Sequence, residues 1–297
     1  MLENLVTEKR NPDSMNLDEL SVMEIIRLMN REDLKVISAV GKALPEIEQV
    51  IQQCVNCMKQ GGRIIYVGAG TSGRVGILDA VECPPTFGMD PSRVVGILAG
   101  GTDGAYAKEE AEDSFELGQQ SMVELKLEPR DIVIGLAASG RTPFVLGALD
   151  QAAKDGAVTA CIVCNPGSQM AKKVSYPIQL DNGPEVLTGS TRLKAGTSQK
   201  MVCNMISTAT MIRLGKVYEN LMVDVDVSNE KLYYRWLSMV RTAAGCSQEE
   251  AVELYKSSHH NAKAAICMAK CGISYQEAVK ALEEDEGMVK KVLAALA

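Results

Sequence analysis

From Arg63 to Gly215 the chain repeats one rhythm: a short apolar run, a turn rich in Gly, Ser or Thr, then a helical pattern. The apolar runs are "RIIYVG", "RVVGILAG", "DIVIGLA", "VTACIVC" and the shorter "YPIQLD". Between and after them come four helical patterns. "GRVGILDAVE" reads as a helix stopped by Pro84–Pro85, and a long acidic helix is expected from about Ala105 to Leu125. "TPFVLGALDQAAKDG" places Pro143 in its first turn, and "AGTSQKMVCNMISTATMIRLG" reads as a long buried helix. Strands that are apolar almost throughout, alternating with helices, are buried on both faces. The expectation is an α/β fold, a doubly wound parallel sheet.

Both flanks differ from this centre. "LDELSVMEIIRLMNRED" carries a helical apolar stripe. A second helix follows, with Leu44, Ile47, Ile51, Cys54, Val55 and Met58 at helical spacing and Gly61–Gly62 at its end. After Val227 the strands stop and three helical stretches remain. Ser247 with Glu250 and Ser274 with Glu277 form capping-box starts. The expected organisation is an N-terminal helical segment (1–45), a central sheet domain (46–225) and a small helical C-terminal domain (226–297).

Composition removes several function classes. The net charge of −7 comes without a basic cluster, so nucleic acid is not an expected partner. No apolar run approaches the roughly 20 residues of a membrane helix. "MLENLVTEKRNPDS" has no signal core, so the expected location is the cytoplasm. Nine cysteines in such a chain read as reduced thiols. Cys54/Cys57 lie in a helical pattern, and Cys161/Cys164 lie in a strand pattern whose alternation turns them to opposite faces. His259 and His260 are adjacent, so on a helix they diverge by about 100° and do not chelate together. No metal site is expected.

The stretch "YVGAGTSGR" spells G-x-G-x-x-G after a strand, with Gly68, Gly70 and Gly73. Such a loop suits a dinucleotide when an acid stands about 20 residues on, at the tip of the second strand. Here that strand ends "ILAGG", and Asp103 comes late. Two further loops, "AASGRTP" and "LTGSTRLKAGTSQK", have the same Gly/Ser/Thr character and also precede helices. Strand ends in a parallel sheet converge on one crevice, where hydroxyls and helix N-termini hold phosphate. A sugar phosphate is therefore the expected ligand. Its candidate ligands are Ser72, Ser139 and Thr142, with Thr71, Ser190 and Thr191 nearby. Arg141, Arg192 and Lys194 either add charge to this site or belong to structural ion pairs.

These loops resemble the sugar isomerase (SIS) domain. The stretches "GAGTSGRVGILDAVECPPTFG", "AGGTDGAYAKEEAEDS", "AASGRTPFVLGAL", "CNPGS", "GPEVLTGSTRLKAGTSQK" and "NLMVDVDVSNEKL" narrow the match. So does the opening "TEKRNPDSMNLDELS". Together they resemble the N-acetylmuramic acid 6-phosphate etherase family over about residues 5–245. That family is also similar to the vertebrate glucokinase regulator. The resemblance implies cleavage of a lactyl ether to N-acetylglucosamine 6-phosphate and D-lactate, without metal or organic cofactor, by a homodimer. It further implies Glu82, in the ECPP pattern, as the acid that protonates lactate. It implies Glu112, in the AEDS pattern, as the carbon-acid base.

Helical phase alone hardly separates Glu112 from Glu110 beside the stripe Ala111, Phe115, Gly118 and Met122. The apolar N-terminal helices and the Met-rich "MVCNMISTATMI" exceed what one chain's sheet is expected to bury, which agrees with a homodimer. A C-terminal lid presenting His259, His260 or Lys263 is a further expectation. The alternatives are a sugar-phosphate isomerase, which would share the loops and a base, and a non-catalytic phosphosugar sensor, which would lack the acids.

Overall fold

The computed structural model describes residues 5–101, 109–225, 227 and 229–296, without the side chains of 109 and 110. The helices α1 (Val22–Lys42) and α2 (Leu44–Lys59) come first. Then follow β1 (Ile64–Gly68), α3 (Gly70–Phe87), β2 (Val94–Leu98), α4 (Phe115–Leu125), β3 (Ile132–Ala137), α5 (Pro143–Lys154) and β4 (Val158–Val163). β5 (Tyr176–Gln179) and α6 (Lys194–Arg213) complete the alternating part. All five strands are parallel, in the order β2-β1-β3-β4-β5.

Side-chain alternation supplies a core on each face. Ile65, Val67, Val133, Cys161 and Val163 pack with Val145 and Leu149 of α5. Tyr66, on the opposite face, meets Gly76 of α3 and reaches the Cys203 carbonyl of α6. At the amino ends of the strands the Asp131 carboxylate accepts from the Arg63 backbone N–H (2.8 Å) and from its guanidinium (2.6 Å at the shortest). This fixes the β1–β3 register at the end away from the loops.

The chain divides into two compact units. One comprises residues 1–81 and 92–207; the other comprises 82–91 and 208–297. The second unit holds the hairpin β6 (Val217–Tyr218) and β7 (Leu221–Met222), which no pattern in the sequence announces. It also holds α7 (Glu230–Ala244), α8 (Gln248–Ser257), α9 (Ala262–Cys271), α10 (Tyr275–Glu284) and α11 (Val289–Leu296). Trp236, Val240, Ile266, Cys267 and Val292 form its core. Both expected capping boxes are present, at Ser247–Glu250 and Ser274–Glu277.

Three expectations need correction. Pro84 and Pro85 do not stop α3; they lie inside it. The fixed φ of proline suits a helix, and the turn is closed beyond them by the Gly88 N–H on the Pro84 carbonyl. The acidic segment is not one helix in its described part. A 3₁₀ turn at Glu109–Asp113 ends where Ser114 caps α4, accepting from the Leu117 N–H. Finally, Val202, Cys203, Ile206 and Met211 of the Met-rich stretch are buried within a single chain. That stretch therefore gives no argument for a partner.

Cys54, Cys57, Cys161 and Cys164 are buried and form no disulfide. Desolvation pushes Cys161 and Cys164 up to about 12, so both stay protonated at neutral pH.

Candidate functional site

In a sheet of order β2-β1-β3-β4-β5 the connections leave β1 and β3 toward opposite sides, and a crevice opens between their carboxyl ends. The loops at that point are those carrying Thr71–Ser72 and Ser139–Thr142. The first is shaped by close approach. A Cβ on Gly73 would lie 2.6 Å from the Gly68 carbonyl oxygen, and one on Gly68 would lie 2.7 Å from the Gly73 nitrogen. Gly70 turns the chain with φ 51°. The glycines thus seat the α3 N-terminus directly on the end of β1, where the Gly73 N–H closes the first turn on the Ala69 carbonyl (3.1 Å). The Ser72 hydroxyl donates to Gln199 Oε1 (2.8 Å), and Gln199 in turn donates to the Ile162 carbonyl (3.4 Å). Thr71 lies against Gly196 of α6.

The second loop runs from Ala138 to Thr142. Gly140 has φ 65°, and the Arg141 N–H points to Ser139 Oγ (3.3 Å). Thr142 is the N-cap of α5, yet its hydroxyl makes no capping bond. It donates instead to Glu112 Oε1 (3.2 Å). Glu112 is held there because α4 packs tightly on α5, with Gly118 against the Phe144 backbone. Arg141 is exposed, whereas Ser139 is half-buried.

The third loop departs from expectation. The α6 N-terminus is not open to an anion, because Glu185 already occupies it. Its carboxylate accepts from the backbone N–H of Lys194 (3.1 Å) and of Ala195 (2.9 Å). The next two N–H groups, of Gly196 and Thr197, go to the carbonyls of Thr191 and Leu193. Burial pushes the Glu185 carboxyl up, against the pull of those two backbone N–H groups. Ser190 and Thr191 are half-buried and can offer side chains only.

Lys194 belongs to a structural pair. It is 1% exposed, with Nζ 2.7 Å from Glu32 Oε2 and 2.7 Å from the Pro184 carbonyl. Arg192 is exposed. Gln199, Glu185 and Asn165 were missed from sequence, since nothing in their local pattern marks them.

Glu82 lies in the second unit, exposed on the last turns of α3. The residues just after it, Pro84, Pro85, Gly88, Met89 and Pro91, line a cavity of about 740 Å³ in that unit, opposite Asp224, His260 and Lys263. Lys263 and Lys216 both sit 2.9 Å from Asp224 Oδ2. The His260 ring stacks on Tyr255 at 4.2 Å, and His259 meets Tyr275 edge-on at 4.7 Å. Asp103 and the side chain of Glu110 lie outside the described residues. Among the described residues no group of three or more His, Cys, Asp or Glu is placed to hold a metal ion.

Comparison with known proteins adds to this geometry. Residues 46–153 match the glucokinase regulatory protein N-terminal SIS domain, residues 113–209 the SIS domain, and residues 219–279 the C-terminal lid domain of glucokinase regulatory protein. An N-acetylmuramic acid 6-phosphate etherase of Exiguobacterium sp. is 51% identical over 294 residues, which is 99% of this chain and 100% of that protein. An N-acetylmuramic acid 6-phosphate etherase 2 of Enterococcus faecalis is 50% identical over 98% of this chain and 99% of that protein. Among solved structures, a protein of E. coli CFT073 superposes with a TM-score of 0.50 at 17% identity, over 72% of this chain and 100% of that one. That likeness carries the fold alone.

Proposed function

The chain belongs to the N-acetylmuramic acid 6-phosphate etherase family, and from that premise we propose how its residues divide the reaction. It cleaves the D-lactyl ether of N-acetylmuramic acid 6-phosphate, giving N-acetylglucosamine 6-phosphate and D-lactate, by elimination and then addition of water. The observation that carries this is identity near 50% to etherases over essentially the whole chain.

An ether oxygen leaves poorly, so the neighbouring carbon must first be activated. Opening the sugar ring gives an aldehyde and acidifies the proton on the next carbon. A base takes that proton, and the electron pair expels the lactyl oxygen one carbon further on. An acid protonates the departing lactate, and water adds to the resulting double bond. Two positioned acid/base groups suffice, each worth about 10²–10⁴ in rate. We assign the base to Glu112, whose carboxylate is oriented by Thr142 beside the β1–β3 crevice. We assign the acid to Glu82. The phosphate goes to the first turn of α3, with Thr71 and Ser72, and to Ser139 and Thr142, with Ser190 and Thr191 beside them; Ser72 and Thr142 donate to it only by releasing Gln199 and Glu112. Arg141 is assigned to the same phosphate as a charge at the rim. No cofactor enters this chemistry.

We retain the division into 1–45, 46–225 and 226–297 as the functional domain plan; a family match that begins at 46 supports its first boundary, whereas the lid-domain match begins at 219, ahead of the second. A phosphosugar ligand, homodimeric assembly and a cytoplasmic location belong to the same reading. Among the described residues no helix is long and apolar enough to cross a membrane.

Isotope exchange in heavy water separates the two roles. Glu112→Gln keeps an acceptor for Thr142 but removes the base, so it should lose both lactate release and deuterium uptake at the carbon beside the aldehyde. Glu82→Gln should lose lactate release, by about 10²–10⁴, yet still exchange that proton. The opposite pattern would reverse the assignment, and full lactate release by both variants would refute it.

A further inference from the structure

The segment Val6–Ser14 contains two short 3₁₀ turns and no longer element, yet Thr7 and Asn11 within it are almost fully buried. A polar side chain is buried without cost only when hydrogen-bonded, so their partners show what the segment holds. There are two sets of them.

The first set centres on Asn165, just after β4. Its Oδ1 accepts from the backbone N–H of Val6 (2.7 Å) and Thr7 (3.4 Å). Its Nδ2 donates to Thr7 Oγ1 (3.0 Å) and to the Ala138 carbonyl (2.9 Å). Ala138 is the residue before Ser139. The second set reaches the other loop. Asn11 Nδ2 donates to Glu32 Oε2 (2.7 Å) and to the Pro184 carbonyl (3.2 Å), and the Ser14 hydroxyl donates to the Val186 carbonyl (2.7 Å). Lys194 closes this set through the same Glu32 and Pro184 atoms. Glu8 adds a contact, since a Cβ on Gly189 would lie 3.3 Å from its Oε2.

We propose that Val6–Ser14 is a positioning strap, with Thr7 and Asn165 fixing the Ser139 loop and Asn11, Ser14 and Glu32 fixing the Ser190–Thr191 loop. The strap touches neither sugar nor reacting atoms. It adds to the spacing of two loops that Cys164 also bridges, its N–H donating to the Ala138 carbonyl (3.0 Å) and its Sγ lying 4.0 Å from the Ala195 carbonyl. The proposal rests on the reading of those loops as the phosphate site. Its consequence is graded: loosening the strap weakens recognition of the phosphate more than it slows the acid/base steps, which feel the loop only through the Thr142–Glu112 bond.

The test compares Thr7→Val, Ser14→Ala and Thr7→Ser with Ser139→Ala. For each, the readouts are KM and kcat for lactate release, the inhibition constant of inorganic phosphate, and the melting temperature. One net hydrogen bond shifts a binding constant by roughly 2- to 12-fold. Thr7→Val and Ser14→Ala should raise KM and the phosphate inhibition constant together by such a factor, with kcat changed less than about 2-fold. Thr7→Ser, which keeps the hydroxyl, should restore both. Ser14 is only partly buried, so its variant folds even where Thr7→Val does not. If Ser139→Ala weakens phosphate inhibition but neither strap variant does, the strap is structural packing and the proposal is wrong. If Ser139→Ala itself leaves phosphate inhibition unchanged, the phosphate site lies elsewhere, and both readings fall. A strap variant that lowers kcat alone also overturns the proposal.

Discussion

Glu32 is a carboxylate 1% exposed that serves three donors: Lys194 (2.7 Å), Lys35 (2.6 Å) and Asn11 (2.7 Å). Burial alone would raise its pKa, but the hydrogen bonds from Lys194, Lys35 and Asn11 outweigh it and bring it down to about 2. A lowered carboxylate contributes stability that is full above its unfolded pKa of about 4.5 and is lost as pH falls through about 2. Replacing it leaves the buried Lys194 ammonium without a counter-charge, which costs about 3–5 kcal/mol. Glu32→Gln should therefore be less stable than wild type by a constant margin above about pH 5. That margin should shrink as pH falls from about 4.5 to about 2, as read from urea unfolding at several pH values. A margin that does not change across that window would show that Glu32 contributes by packing and not by charge. From sequence, Lys194 is equally consistent with substrate and with a structural pair. Its partner stands 162 residues away, and no local pattern announces a contact at that separation.

At the scale of elements, strands and helix starts are legible because each is written in a few consecutive residues. β1, β2 and β3 are apolar runs that each follow a charged residue (Arg63, Arg93, Asp131), β4 is one that begins two residues after Gly156, and both C-terminal capping boxes are spelled out in four residues. Breaks within helical stretches are not legible. "SQEEAVELYKSSHHNAKAAICMAKCG" reads as continuous helix but divides at Ser258–Asn261. There α8 closes with the His259 N–H on the Lys256 carbonyl and the His260 N–H on the Tyr255 carbonyl, the bond pair of a Schellman turn. The position that glycine usually fills is taken by His259 at φ 50°, followed by His260 at φ 67°. A side chain in the left-handed region costs roughly 1–2 kcal/mol. His259→Gly should thus stabilise the protein by up to about 1 kcal/mol, part of the gain being offset by glycine's greater freedom when unfolded. His259→Val, which is β-branched, should destabilise it. If both variants fell below wild type by the same amount, the ring contact with Tyr275 would matter more than the backbone. The occupied α6 N-terminus is hidden for a related reason. A Gly/Ser/Thr loop before a helix reads as an anion site, and only the fold reveals that Glu185 has already supplied the anion.

At the scale of the whole molecule, α1 carries two sets of apolar residues. Leu28, Val36, Ala39 and Val40 point inward and are buried. Val22, Met23, Ile26, Leu34 and Ile37 are instead exposed, from 50% at Ile26 to 77% at Val22. At 100° per residue these five fall within an arc of about 120°, in two groups, 22–26 and 34–37, with the exposed Asn30 and Asp33 in the same arc between them. Leu44, at the start of α2, is likewise 50% exposed. A polar face would serve a solvent-facing helix better, and two exposed apolar clusters on one helix motivate a test for a covering partner. The occupant that agrees with the family resemblance is a second copy of the chain, with α1 at the contact. Light scattering at micromolar concentration should give twice the 32.0 kDa of one chain. Charge placed in the two clusters, as in Ile26→Lys with Ile37→Glu, should shift the protein toward the monomer without disturbing the buried face of the same helix. Because Leu28 and Val36 keep their contacts, the circular dichroism spectrum should stay unchanged while the mass halves. A wild-type mass of one chain would remove the homodimer. A dimer that survives the double substitution would place its interface away from α1.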